Sequence, residues 1–207
     1  MILNKFITQP ILLDASVLLV GIEKNNDENF NFEAMKTLYM EELFNNFQDI
    51  LIHETVFDEL DEQRKDFINT YVGKNVKIVS ENNLYGQDPL YTTVFNQIAN
   101  FDLFKYQRPK KKDKGDVYSL AYAAYHNIPF ISARDGSIIK AVEELVSLNN
   151  VEVCGFEHIL LLGYLNNEDK NLVRRYKSIY KSHCTPAINS GLIPKTFGEF
   201  IRSQTDN

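Results

Sequence analysis

The stretch Ile11-Leu12-Leu13-Asp14-Ala15-Ser16-Val17-Leu18-Leu19 decides how the rest of the chain is read. An apolar run stops at a carboxylate, and a second apolar run starts two residues later. The first run reads as a buried strand and the second as the opening of a helix. Asp14 then stands at the strand's C-terminal end. In an open parallel α/β sheet, ligands bind in the crevice beyond those ends.

Outward from that stretch, the same alternation recurs. Phe32, Met35, Tyr39, Leu43 and Phe47 repeat at helical spacing, and Ile50-Leu51-Ile52 fits a second strand. Val56, Phe57 and Leu60 share one face of a helix that carries Asp58 and Glu59. Val76 to Val79 reads as a third strand, and Tyr91 to Phe104 as a helix beyond a loop. Gly115 and Asp116 open a helix with Val117, Leu120, Ala121 and Ala124 on one face, ended by Asn127. Ile128 to Ile131 is a fourth strand, Asp135-Gly136 turns into a further helix, and Val151 to Val153 is a fifth strand. A helix follows from Phe156. Strands alternating with helices imply right-handed crossovers and a mostly parallel five-stranded sheet between two helical layers. The fold class is therefore α/β, a three-layer α/β/α sandwich. Residues 1–165 form its main domain. Residues 166–207 form a helical basic appendage packed on or beside it, with helices near Leu172 to Tyr180 and Phe197 to Ile201.

The 207 residues are 44% apolar, enough for a real core, and no run is long enough to span a bilayer. Met1-Ile2-Leu3-Asn4-Lys5-Phe6 shows no extended apolar run and no small-residue cleavage site, so the expectation is a cytoplasmic protein with no membrane partner. Cys154 and Cys184 make neither a disulfide framework nor a paired metal motif. The net charge of −6 is unevenly spread. Residues 170–207 hold seven basic residues against two acids, +5, which leaves −11 for the body. The densest positive patch is Arg108-Pro109-Lys110-Lys111-Lys112-Asp113-Lys114.

In this topology Asp14, Glu59, Asp116 and Asp135 come to one rim. Asp14 and Asp135 follow strands one and four, Glu59 lies in the helix after strand two, and Asp116 opens the helix leading into strand four. Each has a plain structural account. Asp14 and Asp135 suit helix N-caps, Asp116 answers a helix dipole, and Glu59 is one helix carboxylate among several. Four acids on one rim repel, however, unless a cation binds there. Oxygen ligands without histidine or cysteine suit Mg²⁺ or Mn²⁺ and fit zinc poorly. Such ions support phosphodiester hydrolysis by polarising the phosphoryl oxygen and making hydroxide available at neutral pH. Arg108, Lys110, Lys111 and Lys112 stand just before Asp116 and suit phosphate contacts, and Tyr106 suits base stacking. A solvated charged loop is the plain account of the same segment. The four histidines show no ligand spacing, and His53 suits a structural place at a strand end.

Leu12-Leu13-Asp14-Ala15-Ser16-Val17-Leu18, Glu54-Thr55-Val56-Phe57-Asp58-Glu59-Leu60, Gly115-Asp116-Val117-Tyr118-Ser119-Leu120-Ala121 and Phe130-Ile131-Ser132-Ala133-Arg134-Asp135 together resemble the successive motifs of PIN-domain nucleases over residues 10–160. The resemblance implies a metal-dependent endoribonuclease acting on single-stranded RNA. Asp14, Glu59, Asp116 and Asp135 match the family's acids, with Asp14, Asp116 and Asp135 as metal ligands. Ser16 and Ser132 match its hydroxyl residues beside the substrate. Asp58 is a rival for Glu59, and Asp113 a possible extra ligand. Ser132 and Asp135 are separated by two residues where one is usual. As partners the resemblance implies RNA, a second copy of the chain in a homodimer, or an inhibitory antitoxin protein as in toxin-like members.

A haloacid-dehalogenase-type phosphatase needs a second aspartate two residues after the first, where Ser16 stands. A phospho-receiver domain needs a lysine after the last strand, where Val153-Cys154-Gly155 stands. The alternatives within the fold are a non-catalytic module that binds RNA or protein, and a nuclease directed at DNA or flaps.

Overall fold

The computed structural model describes residues 3–20, 31–81, 84–104, 113–167 and 172–205. Helix α1, Leu3–Ile7, leads into strand β1, Ile11–Leu13. Asp14 caps α2, Ala15–Leu18. Helix α3, Phe32–Met35, runs through a π-helical turn, Lys36–Met40, into α4, Glu41–Asn46. Strand β2 is Ile50–His53, followed by α5, Glu54–Glu59, and α6, Glu62–Asn69. Then come β3, Val76–Val79; α7, Pro89–Ala99; and α8, Lys114–Tyr125. Strand β4, Phe130–Ala133, precedes α9, Gly136–Glu144. Strand β5, Glu152–Gly155, runs directly into α10, Phe156–Asn166. The tail forms α11, Val173–His183; α12, Thr185–Asn189; and α13, Phe197–Thr205.

The five strands pair in the order β3-β2-β1-β4-β5, and every pair is parallel. The chain builds outward from β1 to β3 on one side, then crosses to β4 and β5 on the other. The switch point thus lies between β1 and β4, where a crevice opens beyond the strand ends. Side chains of a strand alternate between faces, and the two cores follow that alternation. Ile11, Leu13, Ile50 and Ile52 face a cluster with α1–α4, α6, α10, α11 and α13. Leu12, Leu51, Ile131 and Ala133 face a second cluster with α7, α8 and α9. The sheet is therefore covered on both sides, as near-continuous apolar strands require.

The tail enters the first core. Tyr176, Tyr180, Phe197 and Phe200 are buried in the cluster that contains Ile11 and Leu13. The π turn shows how it is locked: Leu38 O accepts from Tyr176 Oη at 2.7 Å. Helix α10 crosses so close to that turn that a Cβ on Gly163 would lie 2.2 Å from Leu38 O.

The structure corrects several sequence boundaries. The helix expected over Tyr91 to Phe104 stops at Ala99, with Asn100 as its C-cap. Strand five begins at Glu152 rather than Val151 and extends to Gly155. Helix α6 was not foreseen, because Glu62-Gln63-Arg64-Lys65-Asp66 carries no apolar stripe. Its reason is polar. Asp61 caps it by accepting from Arg64 N at 2.9 Å. Buried Arg64 then donates from Nε to Leu18 O at 2.7 Å and from Nη2 to Val20 O at 3.2 Å. These are carbonyls that the end of α2 leaves without helical partners. Cys154 and Cys184 are both free and buried. Among the described residues no helix is long and apolar enough to cross a membrane.

Candidate functional site

The switch point collects the acids. Asp14 is the N-cap of α2 and is buried, with Oδ2 accepting from Ser16 N at 2.7 Å. Asp135 is the exposed N-cap of α9, with Oδ1 accepting from Ser137 N at 2.9 Å and Ser137 Oγ at 2.7 Å. The expected capping is therefore real at both positions, and it coexists with their convergence. Asp14 N donates to Ser132 O at 2.9 Å, so the β1 and β4 exits are held side by side. Ser16 Oγ accepts from Arg134 N at 2.9 Å and bonds the Asp14 carboxylate as well.

Asp116 lies in the first turn of α8 and is partly buried. Its carboxyl is pushed up to about 9, first by burial, then by the charges of Asp14, Asp135, Asp113 and Glu59. Burial also raises Asp14, with Asp135 adding to it and the Ser16 hydrogen bonds opposing. Glu59 is raised by desolvation and then by Asp14, while the Gly115 amide and Lys114 act against this. Helix α8 passes close to α5 at Gly115, where a Cβ would lie 3.0 Å from Glu59 Oε1 and 3.3 Å from Val56 Cγ2. Asp58, the rival to Glu59, is exposed and is not among the charges acting on Asp116. Asp113 is among them, and it holds the left-handed backbone conformation at φ 61°.

Five carboxylates from four parts of the chain thus act on one another electrostatically. Yet among the described residues no three Asp, Glu, His or Cys side chains clasp a common point as they stand. The hydrogen bonds give the reason. Asp14 and Asp135 are turned back on their own helices, and Glu59 on the Gly115 amide. Asp14 Oδ1 nevertheless remains buried without a hydrogen-bond partner. A buried carboxylate oxygen with no donor is costly by itself and is suited to a cation. The donor set is all oxygen, as Mg²⁺ or Mn²⁺ prefers. His53, nearest in sequence to this rim, is committed elsewhere: Nδ1 meets Thr55 Oγ1 at 2.8 Å and Nε2 meets Glu81 Oε2 at 2.7 Å. The residues present therefore fit a hard divalent ion.

Ser132 is fully buried, and its hydroxyl donates to Cys154 O at 3.0 Å. It ties β4 to β5 and does not point to a substrate, because an inward strand position faces the core. Ser16 stays at the site, but as the link between Asp14 and Arg134. Arg108, Lys110, Lys111 and Lys112, with Tyr106, lie outside the described residues. Lys114, at the end of that basic segment, is exposed, with Nζ 5.4 Å from the Tyr118 ring centre. Its charge reaches Glu59 and Glu81. Sequence reasoning missed Arg134, whose only signal was an arginine preceding a rim aspartate. No family model, curated protein or solved structure matches the chain. The resemblance to PIN-domain nucleases thus rests on the motif residues themselves.

Proposed function

We propose that the chain is a divalent-metal-dependent endoribonuclease that hydrolyses phosphodiester bonds of single-stranded RNA. One observation carries the reading: the Asp116 carboxyl is driven to about 9 by burial and by acids that reach it from β1, β4, α5 and its own helix start. Groups displaced this far at a crevice mark functional sites. Asp14, Asp116 and Asp135 would hold Mg²⁺ or Mn²⁺, which supplies the charge that polarises a phosphoryl oxygen and makes hydroxide accessible at neutral pH. Glu59 orients the attacking water. Ser16 fixes the Asp14 carboxylate, and the Gly115 amide holds that of Glu59. Lys114 offers a cation to the backbone phosphate beside Glu59.

A second reading has its own support. The Asp14 and Asp135 caps are complete without metal, as a non-catalytic RNA- or protein-binding module would require. Incubation with labelled single-stranded RNA and DNA, with and without Mn²⁺, separates the two. Mn²⁺-dependent RNA cleavage that disappears in Asp14→Asn supports the nuclease. Calorimetric titration that finds no Mn²⁺ binding, together with intact RNA, favours the module.

A further inference from the structure

Beyond Asp135 the rim continues into a cavity of about 350 Å³ at the exits of β4 and β5. That is within the ~300–1,000 Å³ typical of small-ligand sites. Its walls are largely apolar, with Val142 of α9, Phe156 of α10, and Leu192 and Ile193 beyond α12. A second hollow of about 300 Å³ shares Ile139, Ala187 and Leu192 with it and reaches Gly136, next to Asp135. The two hollows lie side by side, with Ile139, Glu143, Ala187 and Leu192 in both linings, and the larger of them forms the slot.

Four charged residues line the slot, Arg134, Glu143, Glu152 and Glu157, with His158 and His183. Glu143 and Glu152 are exposed, Glu157 is buried and Arg134 is half-buried, so the last two are the charges inside the slot. Glu157 is only 7% exposed and lines it. Its carboxyl is folded over Gly155, where a Cβ would meet Oε1 at 2.0 Å. His158 Nδ1 lies 3.4 Å from its Oε1. Arg134 is anchored by Nε to Ser16 O at 3.3 Å, and its Nη1 lies 3.2 Å from His183 Nδ1. Cys184 feels both charges, but burial holds it as a thiol, so it adds to the apolar wall.

An apolar slot with a carboxylate and a guanidinium suits a flat heteroaromatic ring having a donor edge and an acceptor edge. Guanine has both. Its N1–H and N2–H₂ suit a carboxylate, and its O6 and N7 suit an arginine. Single-stranded RNA is read in this way, by bases splayed out of the stack into pockets. We propose that this cavity is a guanine-binding site that takes a base of the RNA substrate beside the bond to be cut. The RNA part of this inference rests on the nuclease reading. Arg134 is the mechanical link, since the same residue lines the slot and hydrogen-bonds Ser16 beside Asp14.

The test is titration of the full chain in EDTA with GMP, AMP, CMP and UMP. GMP is expected to bind at least tenfold tighter than the other three. Glu157→Gln should abolish that preference at unchanged melting temperature, and Asp14→Asn should leave it intact. Leu192→Trp, at a position already 55% exposed, should block all binding without unfolding. It decides the matter if Glu157→Gln does not fold. GMP binding no tighter than AMP, or unaltered by both cavity variants, overturns the proposal. Guanine selectivity in a chain that cuts no RNA leaves the site standing and removes the nuclease reading. Mn²⁺-dependent cleavage without guanine selectivity does the reverse.

Discussion

The backbone amide of Arg134 donates to the hydroxyl of Ser16 across 2.9 Å. This single bond joins the exit of β4 to the first turn after β1. It spans the switch point, and the same hydroxyl bonds the Asp14 carboxylate. The residue expected to touch substrate is therefore the residue that holds two aspartates in register. Ser16→Ala leaves a partly buried amide and a carboxylate each short of one partner. A loss of about 1–2 kcal/mol is expected, read as a lower urea midpoint. RNA cleavage should fall in the same variant. An unchanged midpoint would show that the bond contributes nothing net.

Asp14 separates charge from capping. Asparagine caps a helix as well as aspartate does. Asp14→Asn should therefore keep α2 and relieve repulsion with Asp116, Asp135 and Glu59. Its melting temperature is expected to equal or exceed that of the parent, while RNA cleavage is abolished. Full activity would remove Asp14 from the site.

The acid cluster also sets a pH dependence. The Asp116 carboxyl holds its proton to about 9 in the folded chain. In the unfolded chain it titrates near ~3.9. Between those values the unfolded state releases a proton that the folded state keeps, so stability falls as pH rises through the window. Glu81 works the other way, since its pairing with His53 lowers it and its contribution is lost on acidification. In EDTA the urea midpoint should drop between pH 5 and 8.5. Asp116→Asn should flatten that drop, and Mn²⁺ should reverse it. A midpoint that rises over the same interval would mean that Asp116 is ionised in the folded chain.

The basic segment before α8 makes a quantitative claim on RNA binding. Each phosphate contact to a single strand contributes about −0.7 to the slope of log affinity against log salt. Changing Lys110, Lys111 and Lys112 to Gln should make the slope shallower by about 2 if all three touch phosphate. An unchanged slope would make the segment a solvated loop.

The sheet and its rim were legible from Ile11 to Asp14 onward because parallel strands buried on both faces are apolar throughout. Period-3.6 stripes likewise marked α8, α9, α11 and α13, while α12, which carries Pro186, was read as a break. Two kinds of feature were hidden. Helix α6 is held by an aspartate cap and a buried arginine rather than by an apolar face, so no periodicity announces it. The orientations of Ser132 and Ser16 depend on which strand face and which neighbour each meets, and those neighbours, Cys154 and Arg134, are 22 and 118 residues away. Long-range hydrogen bonds of this kind leave no local pattern. Asp14, Asp116 and Asp135 could be placed on the rim because each stands at a strand exit or helix start, whereas Glu59 closes α5. The N-caps of Asp14 and Asp135 were legible too, whereas the turn of Glu59 onto the Gly115 amide was not, since that depends on a neighbour 56 residues away.

Gly163 offers a test of the packing that is independent of chemistry. Alanine normally stabilises a helix relative to glycine by up to ~1 kcal/mol. At 163 its Cβ would lie 2.2 Å from Leu38 O and 3.1 Å from Tyr176 Oη. The first is backbone inside the π turn, and it already accepts from Tyr176 at 2.7 Å. Neither can retreat without opening the contact that docks the tail. Overpacking should therefore prevail, and Gly163→Ala should cost about 1–3 kcal/mol. Gly198 in α13 is the control, because nothing lies within 4 Å of a Cβ there. Gly198→Ala should leave stability level or raise it by up to ~1 kcal/mol. Urea unfolding of the two variants side by side reads the sign. Stabilisation at both positions would mean that α10 and the π turn are not in close contact.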